Sequence, residues 1–171
     1  MDAVTTKLVE CANPQARIDS MREPYLQALM LVERLHHRLL NVVKDEFERR
    51  GRRDLTPVQV LMLYSIGDQE LCVGELRTRG YYLGTNVSYN LKKLVEAGLV
   101  EHQRSGVDRR SVRIKLTEKG RQAHEIVKAL CLQHARTVEL AGGINAGEFA
   151  TINELLHRLE RYWTDQVIYQ L

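Results

Sequence analysis

Apolar residues recur at helical spacing over several long stretches of the chain. Tyr25, Leu29, Val32, His36, Leu39, Val43 and Phe47 follow one another at steps of three or four residues, one stripe of a long helix. Ser20 and Glu23 have capping-box spacing, Pro24 suits a first helical turn, and Gly51 suits a C-terminal cap. This predicts a helix of about 27 residues, roughly 40 Å long. Thr56-Pro57 then marks the start of a helix carrying Val58, Leu61 and Met62 and ending near Gly67. Leu71-Cys72-Val73 reads as a brief strand, and Gly74 to Arg79 as a short helix. Another helix opens at Gly84-Thr85-Asn86, has Val87, Leu91, Leu94 and Val95 as its apolar stripe, and ends at Gly98. Leu99 to Gln103 and Ser111 to Leu116 alternate apolar and polar residues, which predicts a hairpin turning through Arg104 to Arg110. Thr117 caps a helix with the stripe Ala123, Val127, Leu130, His134 and Val138, up to Gly142-Gly143. Asn145 and Glu148 are again box-like, ahead of a last helix carrying Ile152, Leu156, Leu159, Trp163 and Val167.

The predicted order is long helix, three short helices, hairpin, two long helices. Its middle section is the element order of a winged helix-turn-helix. The fold class is therefore mainly α with a small β-hairpin wing, flanked by long helices. A compact globule of this length is only roughly 40 Å across. A helix as long as the globule is hard to shelter within one chain, so a homodimer is expected, with residues 21–53 and 117–171 as a helical dimerisation region and 54–116 as the winged lobe. Residues 1–20 read as an arm. Within it Val4, Leu8 and Cys11 allow a short helix before Pro14.

Composition narrows the class. The 171 residues suit one domain, with 44% hydrophobic and 27% charged residues and a net charge of +3. No apolar run is long enough for a membrane span, and the first residues show no basic region followed by an apolar one. A cytoplasmic protein is expected. Cys11, Cys72 and Cys131 are odd in number and widely spaced, which fits neither a disulfide framework nor a zinc site.

The charge is unevenly placed. From Lys92 to Arg121 nine basic residues face four acidic ones, a local +5 that leaves the rest of the chain at about −2. Just before it, the helix from Thr85 to Ala97 presents Thr85, Asn86, Ser88, Tyr89, Asn90, Lys92 and Lys93 opposite its apolar stripe. Hydroxyls, amides, an aromatic ring and ammonium groups suit base edges and phosphates in a major groove. Double-stranded DNA is the expected partner. The bland reading of the charge is an ordinary solvated hairpin, and the alternative function is a winged-helix protein-interaction module that does not read DNA directly.

The run Asp108-Arg109-Arg110-Ser111-Val112-Arg113-Ile114-Lys115-Leu116-Thr117-Glu118-Lys119-Gly120 resembles the wing signature of MarR-type transcriptional regulators. So does Lys92-Lys93-Leu94-Val95-Glu96-Ala97-Gly98-Leu99-Val100, where a recognition helix meets the wing. The block from Arg79 to Lys93 is similar to an alphaproteobacterial subgroup containing regulators of an L,D-transpeptidase gene. The resemblance implies a homodimer whose lobes sit on successive major grooves of a near-palindrome. It implies that Ser88, Tyr89 and Asn90 read bases while Lys92 and Lys93 meet phosphate. It also implies that the wing contributes Arg109, Arg110 and Arg113, with Arg110 entering a minor groove and Asp108 orienting it. Many relatives carry Ser or Thr followed by Arg where Tyr89-Asn90 stands, so no operator sequence carries over.

The resemblance further implies a small aromatic or anionic effector, bound between the first long helix and the winged lobe. Leu39, Val43, Leu61 and Tyr64 are the candidate lining, and plain core packing is the competing explanation. Cys72 and Cys131 have apolar neighbours and no sequence feature that lowers a thiol pKa. Six histidines form no His-x-x-x-His pair, and no Cys or carboxylate completes a metal set along the sequence, so no metal site is expected. His36 and His134 lie on apolar stripes and read as core residues. No nucleophile elbow, P-loop or dinucleotide fingerprint is present, so no catalytic residue and no enzyme activity are expected.

Overall fold

The computed structural model describes residues 14–78, 84–104 and 112–169. The chain divides into two compact units, one ending at Leu61 and the other beginning at Met62. No helix among the described residues is long and apolar enough to cross a membrane.

The first unit holds α1, Pro14–Arg49, a helix of 36 residues. At 1.5 Å per residue it is about 54 Å long. It begins well before the expected start. Ser20 Oγ donates to the Arg17 carbonyl at 2.9 Å and Glu23 accepts from Gln27 at 3.3 Å, so the two form no capping box. Pro24 lies inside the helix. It takes away the N–H partner of the Ser20 carbonyl, but this part of α1 is exposed and water can take that partner's place. Pro14 to Ser20 are thus helical rather than part of an arm. The helix suggested near Val4 to Cys11 lies outside the described residues.

Helix α2, Pro57–Ile66, starts as expected. Thr56 Oγ1 accepts from the Gln59 N–H at 3.3 Å, and Gln59 Oε1 accepts from the Thr56 N–H at 3.0 Å. The amide side chain three residues on completes the box.

In the second unit β1 (Leu71–Cys72) leads into α3 (Val73–Thr78), followed by α4 (Gly84–Glu96), β2 (Val100–Arg104) and β3 (Val112–Leu116). The hairpin is the larger part of a three-stranded antiparallel sheet in the order β1-β3-β2. Leu71 pairs with Ile114, and Val100 with Leu116. The core of this unit includes Met62, Leu63, Ile66, Leu71, Leu76, Val87, Leu94, Leu99, Ile114, Leu116 and Val127. These come from both sides of the helix-turn-helix, from the sheet and from the next helix. The arrangement is a winged helix-turn-helix.

Helix α5 (Glu118–Gly142) begins at the N-cap Thr117 and ends at Gly143, whose φ is 67°. Helix α6 (Ala146–Tyr169) starts with the predicted box: Asn145 and Glu148 exchange backbone-to-side-chain hydrogen bonds of 2.8 and 3.0 Å. Past Leu130 the apolar stripe of α5 opens, with His134 exposed and Val138 half-buried, and α6 carries Phe149, Ile152, Leu155, Leu156, Tyr162, Val167 and Ile168 on its surface. Residues His36 and His134, expected in a core, are exposed.

Candidate nucleic-acid interface

Helix α4 has two faces. Val87 and Leu94 are fully buried and Leu91 nearly so, which anchors the helix on its own unit. Asn86, Ser88, Tyr89, Lys92 and Lys93 face outward, with Tyr89 61% exposed. An exposed phenol among hydroxyl, amide and ammonium groups makes a surface able to stack, donate and accept. Thr85 lies in the first turn of α4, and its side chain is outside the description. Asn90 is half-buried, and its Nδ2 donates to the Asn86 carbonyl at 2.9 Å. One donor of the amide is turned back on the helix instead of outward.

The basic residues are more compensated than their count along the chain suggests. Glu96 lies 3.8 Å from Lys92 Nζ and 3.0 Å from Lys93 Nζ. Its hydrogen bond to Lys93 raises the lysine above its ordinary range and lowers the carboxylate below its own. Arg113 lies on β3, 3.7 Å from Glu70 just before β1. Lys115 pairs across the ladder with Glu101 at 3.1 Å. Arg121 binds Glu118, and Lys119 Nζ donates to the Ala97 carbonyl at 3.0 Å. Asp108, Arg109 and Arg110 lie outside the described residues.

The end of α4 is tightly built. Gly98 has φ 69°, a left-handed conformation that glycine adopts without strain. Gly98 N–H donates to Val95 O and Leu99 N–H to Leu94 O, both at 2.9 Å, the two bonds of a Schellman cap. Gly120, in the first turn of α5, packs against the next residue: a Cβ there would stand 2.0 Å from the Leu99 carbonyl oxygen.

The residues expected around an effector fall in both units. On α1, Val43 is buried while Leu39 is 45% exposed. Leu61 is half-buried at the end of the first unit. In the second unit Tyr64, 38% exposed, stacks on His124 with ring centroids 5.3 Å apart and planes at 22°. His124 was not singled out by the sequence, yet among the described residues it is the buried polar residue of the core, and its Nδ1 has no hydrogen-bond partner among them. Asp68 and Glu125 bring ligand atoms within 4.8 Å of it and of each other. The fold thus supplies the carboxylates that the sequence reading found missing. Lys128 already occupies their field, with its ammonium 3.0 Å from Glu125 and raised above its ordinary range first by that carboxylate and further by Asp68. A separate open groove of about 590 Å³ lies at the α5–α6 elbow, lined by His134, Val138, Ile144, Phe149 and Ala150 among others. Cys72 is half-buried, Cys131 is exposed, and Cys11 lies outside the described residues.

A winged helix packed this way, with a polar recognition helix beside a basic hairpin, defines a DNA-binding protein. The family model for a winged helix DNA-binding domain matches residues 55–120. The chain is 34% identical over 145 residues to the exopolysaccharide II synthesis transcriptional activator ExpG of Rhizobium meliloti (strain 1021), covering 85% of this chain and 74% of that protein. It superposes on a mutant MarR from E. coli complexed with operator DNA with a TM-score of 0.64 and 23% identity, over 80% of this chain and 95% of that one. On BpsR of Bordetella bronchiseptica, whose DNA binding is regulated by 6-hydroxynicotinic acid, the TM-score is 0.62 at 22% identity, over 78% and 98% of the two chains. The chain belongs to the MarR family of winged helix-turn-helix transcriptional regulators.

Proposed function

We propose that this regulator acts in the cytoplasm as a homodimer on a near-palindromic operator, each lobe placing α4 in a major groove. The observation that carries this is the division of α4, with Val87, Leu91 and Leu94 buried on one side and Asn86, Ser88, Tyr89, Lys92 and Lys93 outward on the other. In this reading Ser88 and Tyr89 reach base edges, helped by Thr85, Asn86 and the remaining donor of Asn90. Lys92 and Lys93 leave Glu96 for phosphate. The wing adds Arg109, Arg110 and Arg113, with Asp108 orienting Arg110.

Residues 21–53 and 117–171 form the dimerisation region in this proposal, and 54–116 the DNA-binding lobe. Support comes from apolar side chains left open on α1, such as Met30 at 66% and Leu35 at 65%, and from the surface of α6. A small aromatic or anionic effector would act by preferring one dimer geometry. BpsR, regulated by a small aromatic acid, lends this support by likeness of fold. The subgroup named for control of an L,D-transpeptidase gene is the proposed branch of the family.

The test is selection of bound sequences from a random duplex pool. The expected product is a near-palindrome with half-sites about 34 Å apart, one helical turn. Weak binding without sequence preference would instead favour a protein-interaction module.

A further inference from the structure

The carbonyls that follow the recognition helix are claimed one after another by the entry to α5. After the Schellman cap of α4 come the carbonyls of Ala97, Gly98 and Leu99. Ala97 O accepts from Lys119 Nζ at 3.0 Å. Gly98 O accepts from Thr117 Oγ1 at 2.7 Å. Leu99 O accepts from the Thr117 N–H at 3.1 Å. The same Thr117 hydroxyl accepts from the Gly120 N–H at 3.1 Å and so caps α5. One hydroxyl therefore joins the C-terminus of α4 to the N-terminus of α5. Arg121 Nη1 donates to Leu116 O at 3.1 Å, which ties the end of β3 into the same knot. Gly120 leaves no room for the parts to slide, because a Cβ would collide with the Leu99 carbonyl.

We propose that Thr117 and Lys119 are positioning residues for DNA recognition: they hold α4 at a fixed angle to the wing and to α5 without touching DNA. The proposal rests on the DNA-binding reading above. It reassigns Lys119 from the phosphate-facing charge to the negative end of the α4 dipole, where an ammonium is favourable. Both elements expected on DNA, α4 and the hairpin, leave this knot. A small rotation there moves the far end of α4 and spoils base contacts. Contact with phosphate, which is tolerant of register, survives such a rotation.

The two roles of Lys119 separate by salt dependence. A phosphate contact contributes about 0.9 to the slope of log K against log salt and strengthens binding to every duplex alike. A positioning residue contributes to the operator alone. The experiment compares the wild-type chain with Lys119→Met, Lys119→Arg, Thr117→Val and Thr117→Ser. The probes are an operator selected from random DNA and a scrambled duplex of the same length, each titrated at several salt concentrations, with thermal melting alongside. Lys119 is exposed, so Lys119→Met keeps the fold. The expected result is an operator affinity lower by about threefold to tenfold, with scrambled-duplex affinity and salt slope unchanged. Lys119→Arg and Thr117→Ser restore the ratio, and Thr117→Val reproduces the loss. Equal losses on both duplexes with a reduced slope would make Lys119 a phosphate contact and overturn the proposal, as would unchanged operator affinity. A wild-type chain that prefers no duplex removes the DNA-binding reading itself, an outcome distinct from either.

Discussion

The winged lobe and the terminal helices use the same sequence signal for opposite ends. In both, apolar residues recur every three or four positions. In the lobe, Met62, Leu63, Leu76, Val87 and Leu94 are hidden by other elements of the chain. On α1, Met30, Leu31 and Leu35 stay open, and on α6 Leu155, Leu156 and Ile168 do too. Burial of apolar surface drives both folding and association, at roughly 25 cal/mol per Å². An apolar face that its own chain leaves uncovered is where the proposed second copy would sit. Periodicity says which residues seek cover, and the fold says whether the chain provides it.

The strongest way to break this contrast is to attack the lobe where it is closest. Gly120→Val would push a side chain into the Leu99 carbonyl, which is backbone and has no room to yield. The expected cost is about 3 kcal/mol or more, read as a large loss of thermal stability. Leu94→Ala opens a cavity at a fully buried site and should cost about 2–5 kcal/mol. The matching change on α1, Met30→Ser with Leu35→Ser, should leave the helical signal of the chain intact and weaken self-association at least about tenfold, seen by sedimentation across protein concentration. If that double variant unfolds at the same temperature as Leu94→Ala, the stripe is core and the contrast fails.

Changes on the outward face of α4 should be smaller and confined to DNA. Tyr89→Ala is expected to cost about 1–3 kcal/mol of operator binding with no change in melting. Glu96→Gln is the mildest. It releases Lys92 and Lys93 and should tighten binding to all duplexes slightly, with a steeper salt dependence. The pH effect has a defined sign. The Lys93 hydrogen bond holds Glu96 below its ordinary value of 4.5, so its small contribution to stability is present above that value and fades as pH falls through the lowered one. Denaturation of wild type and Glu96→Gln should therefore differ at neutral pH and converge in acid.

Local signals were legible in the sequence. Thr56-Pro57, Asn145 with Glu148, Gly98 and Gly143 mark element ends because a cap is made by residues a few positions apart. The alternation of Ser111 to Leu116 gave β3 for the same reason. Pro24 misled because proline usually opens a helix, whereas here an exposed helix runs through it. Features built across the fold were illegible. Lys119 counted as basic charge until its partner, 22 residues away, was visible. The pairing of β1 with β3 brought Glu70 towards Arg113, and the fold brought Asp68 to His124. Asn90 shows the limit within one helix: residue type gave its face, but not that its amide turns back on Asn86.

In the proposed dimer the apolar faces left open on α1 and α6 seat a second copy, which sets the two recognition helices for one operator. The most direct measurement is the solution mass of the full chain at low micromolar concentration, alone and on a selected operator duplex. The expected mass is twice 19.7 kDa for the protein alone and that value plus the mass of the duplex on the operator, with the Met30→Ser, Leu35→Ser chain shifting towards the single mass. A folded wild-type chain that stays at 19.7 kDa and binds the operator as one copy would contradict it.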